Sequence, residues 1–261
     1  MLTKMLTNKN YFSPEAQRQY WSASQFKSFM NCEAAALAEL AGVYEHSTST
    51  ALLVGSYVDA FYSGELEQFK DAHPEIINSR TKELKADYQH ADDIIERINR
   101  DPLMSDYLTG EKQKIYTASL FDVPWKIKVD VINEDRIVDL KIVKDFDSIY
   151  KDGHGWLSWI EYWAYDIQGA IYQKIEQLAS GRTEPLPFYI AAATKEKTPD
   201  IAVIQIPQPI LDTALQYVES KIERFDLVKS GEVEPIRCEK CDYCKESKVL
   251  SAPAIYEREG E

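Results

Sequence analysis

Apolar and polar residues alternate along residues 129–142, VDVINEDRIVDLKI, on both sides of a polar turn. This period-2 alternation predicts two antiparallel strands joined as a hairpin. If Ile132 pairs with Ile137, one face is wholly apolar and the other brings Asp130 opposite Asp139. The apolar face would contain Ile127, Val129, Val131, Val138, Leu140 and Ile142, and the polar face would also pair Lys128 with Lys141. Like charges held about 5 Å apart are destabilising, so the pattern indicates a divalent cation that offsets their repulsion.

Helix and strand patterns follow one another along the rest of the chain. Capping sequences at Ser22 and Ser158 open two of the predicted helices, which end near Gly42 and Gly181. The predicted helices span 22–42, 51–64, 80–100, 158–181 and 208–230. The predicted strands span 113–121, 125–132, 137–143, 187–193 and 201–206, with a loop at 145–156. The inward stripe of the 158–181 helix would contain Trp163, Ile167, Ile171, Ile175 and Leu178. Without a run of βαβ units, this order predicts a mixed α/β layer architecture rather than a doubly wound sheet.

The length of 261 residues suits one large domain or two small ones. The sequence contains no internal repeat and no Pro/Gly-rich linker, so we expect a single domain over 1–261. Its predicted parts are N-terminal helices at 22–64, a helical insertion at 80–110, a core at 113–206, and a C-terminal helix and tail at 208–250.

The net charge is −13, from 30 basic and 43 acidic residues. Such a balance argues against broad, nonspecific attraction to nucleic acid, and any nucleic-acid surface must be local. An acidic protein with no polyanionic partner is the alternative. No apolar run approaches the roughly 20 residues that a membrane span needs, and the first residues lack the apolar centre of a signal peptide. We therefore expect a cytoplasmic protein.

Asp139 and Lys141 are two positions apart, so on a strand they share a face with Asp130. Two carboxylates and a backbone carbonyl form a hard oxygen site that suits Mg²⁺. A water molecule at such a cation can attack a phosphodiester, and Lys141 could orient it, help to deprotonate it or neutralise the developing charge. The alternative is a solvent-exposed D-x-K sequence without a function, which is common.

This set of residues resembles the PD-(D/E)XK nuclease superfamily, whose core is a helix, a β-meander, a helix and a further strand. The family motif is an acidic residue followed by an acid-x-lysine, which correspond here to Asp130, Asp139 and Lys141. The resemblance implies a restriction-endonuclease-like fold. It also implies a Mg²⁺ or Mn²⁺ ion held by Asp130, Asp139 and the main-chain carbonyl of Leu140.

The order of the motifs is most similar to the RecB-type branch of phage and CRISPR-associated exonucleases. That branch often has G-x-x-x-H in a preceding helix and Q-x-x-x-Y in the following one. GSYVD gives Gly55 with Asp59 in place of the histidine, and QGAIY gives Gln168 and Tyr172. The resemblance implies that Asp59 is a metal ligand, since Mg²⁺ prefers carboxylate, and that Gln168 and Tyr172 hold a DNA phosphate or steady the lysine. The alternatives are an exposed Asp59 and a boundary stripe whose polar tips reach water.

Three cysteines cluster in CEKCDYC, at Cys238, Cys241 and Cys244, and the fourth is Cys32. In a reducing compartment this spacing indicates metal binding. C-x₂-C-x₂-C with one distant cysteine is the ligand pattern of a [4Fe–4S] cluster, whereas zinc more often binds two separated pairs. The RecB-type branch likewise has one cysteine before the core and three after it, and their cluster clasps the two ends of the chain. The last gap is shorter here, which leaves Zn²⁺ open.

Two functions follow. The first is a metal-dependent deoxyribonuclease, a phage-type exonuclease in recombination or DNA-end processing, with DNA and a recombination protein as partners. The second is a catalytically inactive relative that binds DNA ends or a protein. The complete set of Asp130, Asp139 and Lys141 favours the first, because a binding module does not need opposed acids; the acidic net charge favours the second.

Overall fold

The computed structural model describes residues 5–45, 49–253 and 255. A five-stranded sheet lies at its centre in the order β1–β2–β3–β6–β7. The strands are β1 (Glu111–Leu120), β2 (Val123–Ile132), β3 (Ile137–Val143), β6 (Phe188–Thr194) and β7 (Ile201–Gln205), with β4 (Ile149–Lys151) and β5 (Gly155–Leu157) forming a separate hairpin. β3 and β6 run parallel and the other neighbours in the large sheet are antiparallel. The expected mixed sheet with an initial three-strand meander is confirmed.

Helices pack on both faces of this sheet. Those that contribute to the core on one face include α2 (Ala23–Asn31), α3 (Glu33–Leu40), α8 (Trp159–Tyr162), α9 (Tyr165–Ser180) and α10 (Gln208–Ser230). Those on the other face are α4 (Thr50–Ser63), α6 (Ala86–Asn99) and α7 (Pro102–Tyr107), and shorter helices are α1 (Pro14–Gln19), α5 (Leu66–Ala72) and α11 (Asp242–Glu246). In the part of the chain that the structure describes, no helix is both long and apolar enough to span a membrane.

Alternation along the central strands divides their side chains between two cores. In β6, Ile190 and Ala192 face the core shared with α9, whereas Ala191 and Ala193 face the core shared with α4 and α6. A strand buried on both faces is expected to be almost continuously apolar, as FYIAAAT is. β3 departs from this rule only at its polar residues, which all point toward α9.

The sheet opens between β2 and β3. Their ladder contains only the pairs Ile132–Ile137 and Val131–Val138. The register predicted for the hairpin is therefore confirmed next to the turn, but the expected pairs beyond it, including Asp130 with Asp139, do not form. We call this separation the fork.

Trp21 takes the place of β3 beside the far part of β2. Its N–H donates to the carbonyl of Pro124 at 2.8 Å, and its carbonyl accepts from Lys126 N at 2.8 Å. This parallel bridge satisfies backbone groups that would otherwise face β3. The far end of β2 is therefore bonded to a segment distant in sequence rather than to β3.

The predicted apolar face of the hairpin is wrong in its second half. Val131, Val138 and Leu140 share the core with α4 and α6, but Ile127 and Val129 lie in the core on the opposite face. Residues two apart on a regular strand share a face, so β2 changes its facing next to Asp130. Gln113 in β1, at the matching position, has a φ of +52° and forms no ladder pair with Asp130.

Two long helices predicted from the sequence are each broken. The 22–42 helix ends at Asn31 and restarts at Glu33, because Cys32 is extended (φ −165°, ψ 110°) and its sulfur caps α3. The 158–181 helix is interrupted at Trp163 and Ala164, and Ala164 has a φ of +51°. Trp163 and Leu178, expected to face inward, are 51% and 44% exposed.

Other boundaries differ for local reasons. The turn between β1 and β2 consists of Phe121 and Asp122, both with positive φ, so β2 begins at Val123 and includes Pro124. The insertion helix begins at Ala86, after an isolated bridge that pairs Ile77 with Leu84. The segment predicted as a loop at 145–156 contains most of the β4–β5 hairpin.

Candidate active site

Two clefts, of about 500 and 760 Å³, meet at the fork. Asp59, Asp130, Gln168 and Tyr172 line both of them. The structure thus brings together all the residues expected to act on phosphate: Asp59 from α4, Asp130 from β2, Asp139, Leu140 and Lys141 from β3, and Gln168 and Tyr172 from α9. We refer to Asp59, Asp130 and Asp139 as the fork acids.

Asp139 is almost fully buried and is held from two sides. Gln168 Nε2 donates to its Oδ1 at 2.8 Å, and Lys141 Nζ lies 2.5 Å from its Oδ2. Gln168 was expected to hold a phosphate or steady Lys141; instead it contacts the carboxylate that Lys141 pairs with. The two contacts fix the orientation of Asp139 without using all of its oxygen lone pairs.

Lys27, from α2, completes this arrangement and was missed in the sequence. Its Nζ donates to Gln168 Oε1 at 3.0 Å, which orients the amide so that its nitrogen faces Asp139. Burial, with the nearby Lys141 charge, lowers the pKa of Lys27 to about 8. A single lysine on an amphipathic helix is ordinarily a solvent-exposed residue, so no local pattern marks it.

Asp130 lies at the point of the fork. Its Oδ2 accepts from Leu140 N at 2.9 Å, and Gln113 Nε2 lies 3.4 Å from its Oδ1. The side chain thus replaces a ladder bond that the separated strands cannot form. Burial raises the pKa of Asp130 well above its ordinary range, and the charges of Asp139 and Asp59 raise it further.

Asp59 faces the other acids from α4. Burial raises its pKa, and Asp139 raises it further, while Lys141 and Lys128 act in the opposite direction. Asp59 is half-buried and lines both clefts, within the field of the β3 residues.

Lys141 is an ammonium ion surrounded by acceptors. Burial alone would lower its pKa, but Asp139 and Asp130 outweigh burial and raise it. Its Nζ lies 3.4 Å from the Leu140 carbonyl and 5.2 Å from the centre of the Tyr165 ring. These contacts hold the charge at the floor of the cleft.

A glycine allows α9 to carry its polar residues this close to the sheet. A Cβ at Gly169 would lie only 2.6 Å from Cδ1 of Phe188 in β6. The bare backbone therefore lets the helix settle onto the strand, which places Gln168 against Asp139 and Tyr172 at the cleft. Burial raises the pKa of Tyr172, as do the nearby Tyr11, Asp139 and Asp130, so its hydroxyl stays protonated.

The donor set fits a hard divalent cation. Asp139 Oδ2 is buried and makes no well-aligned hydrogen bond, although Lys141 is near. Among the described residues, the side-chain contact to the Leu140 carbonyl is the long one of 3.4 Å from Lys141 Nζ. Free carboxylate and carbonyl oxygens are the ligands that Mg²⁺ and Mn²⁺ prefer. Of the residues that the structure describes, only the four cysteines bring three or more His, Cys, Asp or Glu ligand atoms within 4.8 Å of one another, so the fork acids are farther apart in this conformation.

The four cysteines meet where α3 begins beside the C-terminal tail. Their sulfurs all lie within 4.8 Å of one another, with 3.5 Å between Cys32 and Cys244 and 3.9 Å between Cys238 and Cys244. All four are free thiols. The expectation that Cys32 joins Cys238, Cys241 and Cys244 is confirmed.

Backbone N–H groups point at these sulfurs, as at metal-bound thiolates. The N–H of Cys241 lies 3.3 Å from Cys238 Sγ, and that of Cys244 lies 3.5 Å from Cys241 Sγ. Burial opposes ionisation of Cys238, but the N–H groups of Lys240 and Cys241 and the thiols of Cys241 and Cys32 outweigh it and lower its pKa to about 6. Burial raises the pKa of Cys32. Four thiols this close cannot all ionise unless a cation compensates their charge.

The chain of contacts around the cysteines joins three distant segments. Glu33 accepts two bonds of 2.9 Å from Arg224 in α10 and one of 2.7 Å from Ile236 N in the tail. Arg237 Nη2 donates to the Cys244 carbonyl at 2.6 Å. A metal at the thiols would therefore reinforce an existing junction between the N-terminal helices and the C-terminal tail.

Comparison with known proteins assigns the fold. The family described as "PDDEXK-like domain of unknown function (DUF3799)" matches residues 22–247. A solved structure from Eubacterium rectale, described as a "Putative exonuclease", is 44% identical, with 97% of each chain covered and a TM-score of 0.91. No curated protein matches the sequence. The PD-(D/E)XK superfamily expected from the acid and lysine motifs is confirmed, and the chain belongs to the PDDEXK-like family DUF3799.

Proposed function

We propose that this protein is a metal-dependent deoxyribonuclease that hydrolyses phosphodiester bonds at the fork. The observation that carries the proposal is the group of fork acids in one cleft, of which Asp139 is buried and Asp59 and Asp130 are half-buried, beside the Lys141 ammonium. Carboxylates that face one another raise each other's pKa and lower stability. Their presence in one cleft is typical of a cation site rather than of a structural surface.

The cation would be held by Asp130, Asp139 and the Leu140 carbonyl, with Asp59 completing the site. When bound, Mg²⁺ or Mn²⁺ supplies positive charge to a phosphoryl oxygen and lowers the pKa of an attacking water molecule. Gln168, positioned by Lys27, keeps Asp139 in place. The Tyr172 hydroxyl, which stays protonated, is available to donate to a phosphate oxygen in the cleft.

Lys141 acts as a fixed positive charge. Its contact of 2.5 Å with Asp139 is that of an ammonium with a carboxylate, and a protonated amine cannot accept a proton from water. Of the three roles that the sequence allowed, the ion pair favours the stabilisation of charge that develops on the phosphate. Preorganised charges of this kind are among the largest contributions to catalysis.

Exonuclease action in DNA-end processing or recombination, with a phage-type role, is the finer part of the proposal. The description of the Eubacterium rectale structure supports exonuclease chemistry. The two clefts that meet at the fork also support it, because one opening can admit a DNA end while the other releases a product. A recombination protein would be the natural partner in that role.

A catalytically inactive DNA-end or protein-binding module is the second candidate, and the acidic net charge favours it. Linear DNA labelled at one end and closed circular DNA, each incubated with Mg²⁺ or Mn²⁺, separate the two functions. Release of labelled nucleotides from linear DNA alone, stopped by EDTA, is the result we expect. Equal cutting of the circles would contradict exonuclease action. Binding of linear DNA without any cleavage would favour the binding module.

Asp130→Asn is expected to stabilise the metal-free protein while it removes metal-dependent cleavage. The folded state raises the pKa of Asp130, so ionising this carboxyl costs folding free energy. The cost is absent below the ordinary pKa of 3.8, grows as the pH rises and is complete above the folded-state pKa. Asparagine can still accept from Leu140 N. We expect a gain of about 1 kcal/mol, or roughly 2–4 °C in Tm, in EDTA at neutral pH.

Glu134→Gln is the matched control, because Glu134 is an exposed acid in the turn of the same hairpin. Its Tm should stay close to that of the parent protein at every pH. A lower Tm for Asp130→Asn in EDTA at neutral pH would show that Asp130 stabilises the fold and would contradict the electrostatic account of the fork.

For the cysteines we propose a structural metal clasp. The spacing along the chain favours a [4Fe–4S] cluster, whereas the spacing between the sulfurs suits one ion. Around a tetrahedral Zn²⁺ with bonds of about 2.3 Å, neighbouring sulfurs lie about 3.8 Å apart, close to the observed 3.5 and 3.9 Å. In a [4Fe–4S] cluster each thiolate binds a different iron, so the sulfurs would have to move apart. The distances thus favour Zn²⁺.

A further inference from the structure

The five tryptophans divide into two classes by exposure. Trp21, Trp125 and Trp159 are buried, whereas Trp156 and Trp163 are 72% and 51% exposed. A large aromatic ring gains much from burial, so an exposed ring that lines a cleft is a candidate contact for a ligand in that cleft. Trp163 lines the cleft that contains the fork acids, and nothing in the proposed hydrolysis uses it.

The backbone conformation after Trp163 and a side-chain contact from Lys27 hold the residue in this position. Ala164, the next residue, has a left-handed conformation (φ 51°, ψ 47°) that separates α8 from α9. A non-glycine residue in this region is strained, and such strain persists where surrounding contacts enforce it. One such contact is Lys27, whose Nζ lies 3.4 Å from the Trp163 carbonyl and 5.2 Å from the centre of the Tyr165 ring. The corner is therefore a built feature that presents the indole to the cleft.

The charges near the ring indicate the chemistry of the ligand. Lys141, Lys144 and Lys195 line the same cleft, although Lys144 also pairs with Asp145 at 2.9 Å. Lysines beside an exposed aromatic face form the combination that binds single-stranded nucleic acid, with phosphates on the cations and bases on the ring. In a duplex the bases stack on one another, so only an unpaired base can cover the indole face.

Space for such a strand continues beyond the ring. Trp163 and Tyr165 also line an adjoining groove of about 1280 Å³, together with Lys27 and Lys151. A strand could therefore run from the fork, past the indole, into this groove. Glu161 lines the same groove, but its carboxylate accepts hydrogen bonds from the N–H and the hydroxyl of Ser158, which cap α8.

We propose that Trp163 is the stacking platform for one unpaired nucleobase of a DNA strand whose phosphate lies at the fork acids. The proposal rests on the proposed nuclease function and adds its substrate class, a single-stranded DNA end. Trp163 positions the strand and takes no part in bond breaking.

The test removes the ring and the base separately. The substrates are a labelled single-stranded oligonucleotide and a set of the same oligonucleotides, each with one abasic site at a different position. The parent protein and Trp163→Ala each cleave these substrates in Mn²⁺. We expect Trp163→Ala to raise KM by roughly tenfold or more, the loss of one base–aromatic stack. One abasic position should raise the parent KM to the same extent and should leave the KM of Trp163→Ala unchanged, because the stack is already lost.

Two controls keep the outcomes separate. Trp156→Ala removes a more exposed indole from the β4–β5 hairpin, where it packs against Tyr150 rather than lining the cleft, and its KM should match the parent. Trp163→Phe should restore most of the binding.

Anisotropy of the same oligonucleotide with Asp139→Asn and with Asp139→Asn/Trp163→Ala measures binding without cleavage. If the effects of Trp163→Ala and of the abasic site on KM add, or if Trp163→Ala keeps the parental KM and affinity, the stacking site is wrong. Cleavage by the parent protein would still support the nuclease function in either case. Binding that depends on Trp163 without any parental cleavage would contradict the nuclease function alone.

Discussion

Lys141→Ala is expected to lower the rate of DNA cleavage by roughly 10²–10⁴-fold and to leave divalent-metal binding intact. The substitution removes the ammonium that stabilises developing negative charge but leaves all three fork acids in place. Because Lys141 also competes for Asp139 at 2.5 Å, the variant should bind Mn²⁺ at least as tightly as the parent. Single-turnover cleavage and Mn²⁺ calorimetry on the same preparation measure the two quantities.

Lys128→Ala is the matched control for that experiment. Lys128 lines the neighbouring cleft and lies over the rings of Tyr11 and Phe12, at 5.8 and 5.0 Å from their centres. Its loss should change the cleavage rate much less. Cleavage by Lys141→Ala at the parental rate would show that the mechanism is wrong, and loss of Mn²⁺ binding would show that Lys141 organises the site rather than acting on the phosphate.

Cys241→Ser is expected to cause the largest loss of stability, about 3–5 kcal/mol, or roughly 10 °C in Tm. The thiols of Cys32 and Cys244 are separated by 212 residues along the chain, and a metal that joins them restricts the unfolded state. Metal binding free energy becomes folding free energy in such a site. Cleavage measured well below the Tm should change little, because the cysteines do not line the clefts at the fork.

The metal content of protein purified without oxygen distinguishes the two forms of the clasp. One zinc per chain and no colour is the result that the sulfur distances favour. Brown protein with four irons, whose visible absorption Cys241→Ser removes, would show that the thiols separate around a cluster. Asp242→Asn, an exposed change beside Cys241, should alter neither the metal content nor the Tm. Metal-free protein with an undiminished Tm would contradict the clasp itself.

Elements governed by local patterns could be predicted from the sequence. The spans of β3 and α10 match their predicted ranges, and α4 ends where Gly64 takes a left-handed conformation. The Ser158 capping box forms both of its hydrogen bonds. In each case the information lies within a few residues, as periodicity, a cap or a turn.

Some features of the backbone and of the site that depend on distant partners could not be predicted. Beyond the fork, Trp21 bonds to β2 in place of β3, and the break at Cys32 arises where its thiol meets Cys244. Lys27 reaches Gln168 across 141 positions of sequence. No periodicity records such contacts, and for this reason the acid pair was identified while its strand register beyond Val131 was not.

The central claim is that the fork acids bind a divalent cation, and anomalous diffraction from a crystal soaked in Mn²⁺ tests it most directly. We expect a peak bonded to the carboxylates of Asp130 and Asp139 and to the Leu140 carbonyl, with Asp59 turned toward it. A Mn²⁺-soaked crystal with no peak at these oxygens, and with Asp139 still held by Lys141 and Gln168, would contradict the account.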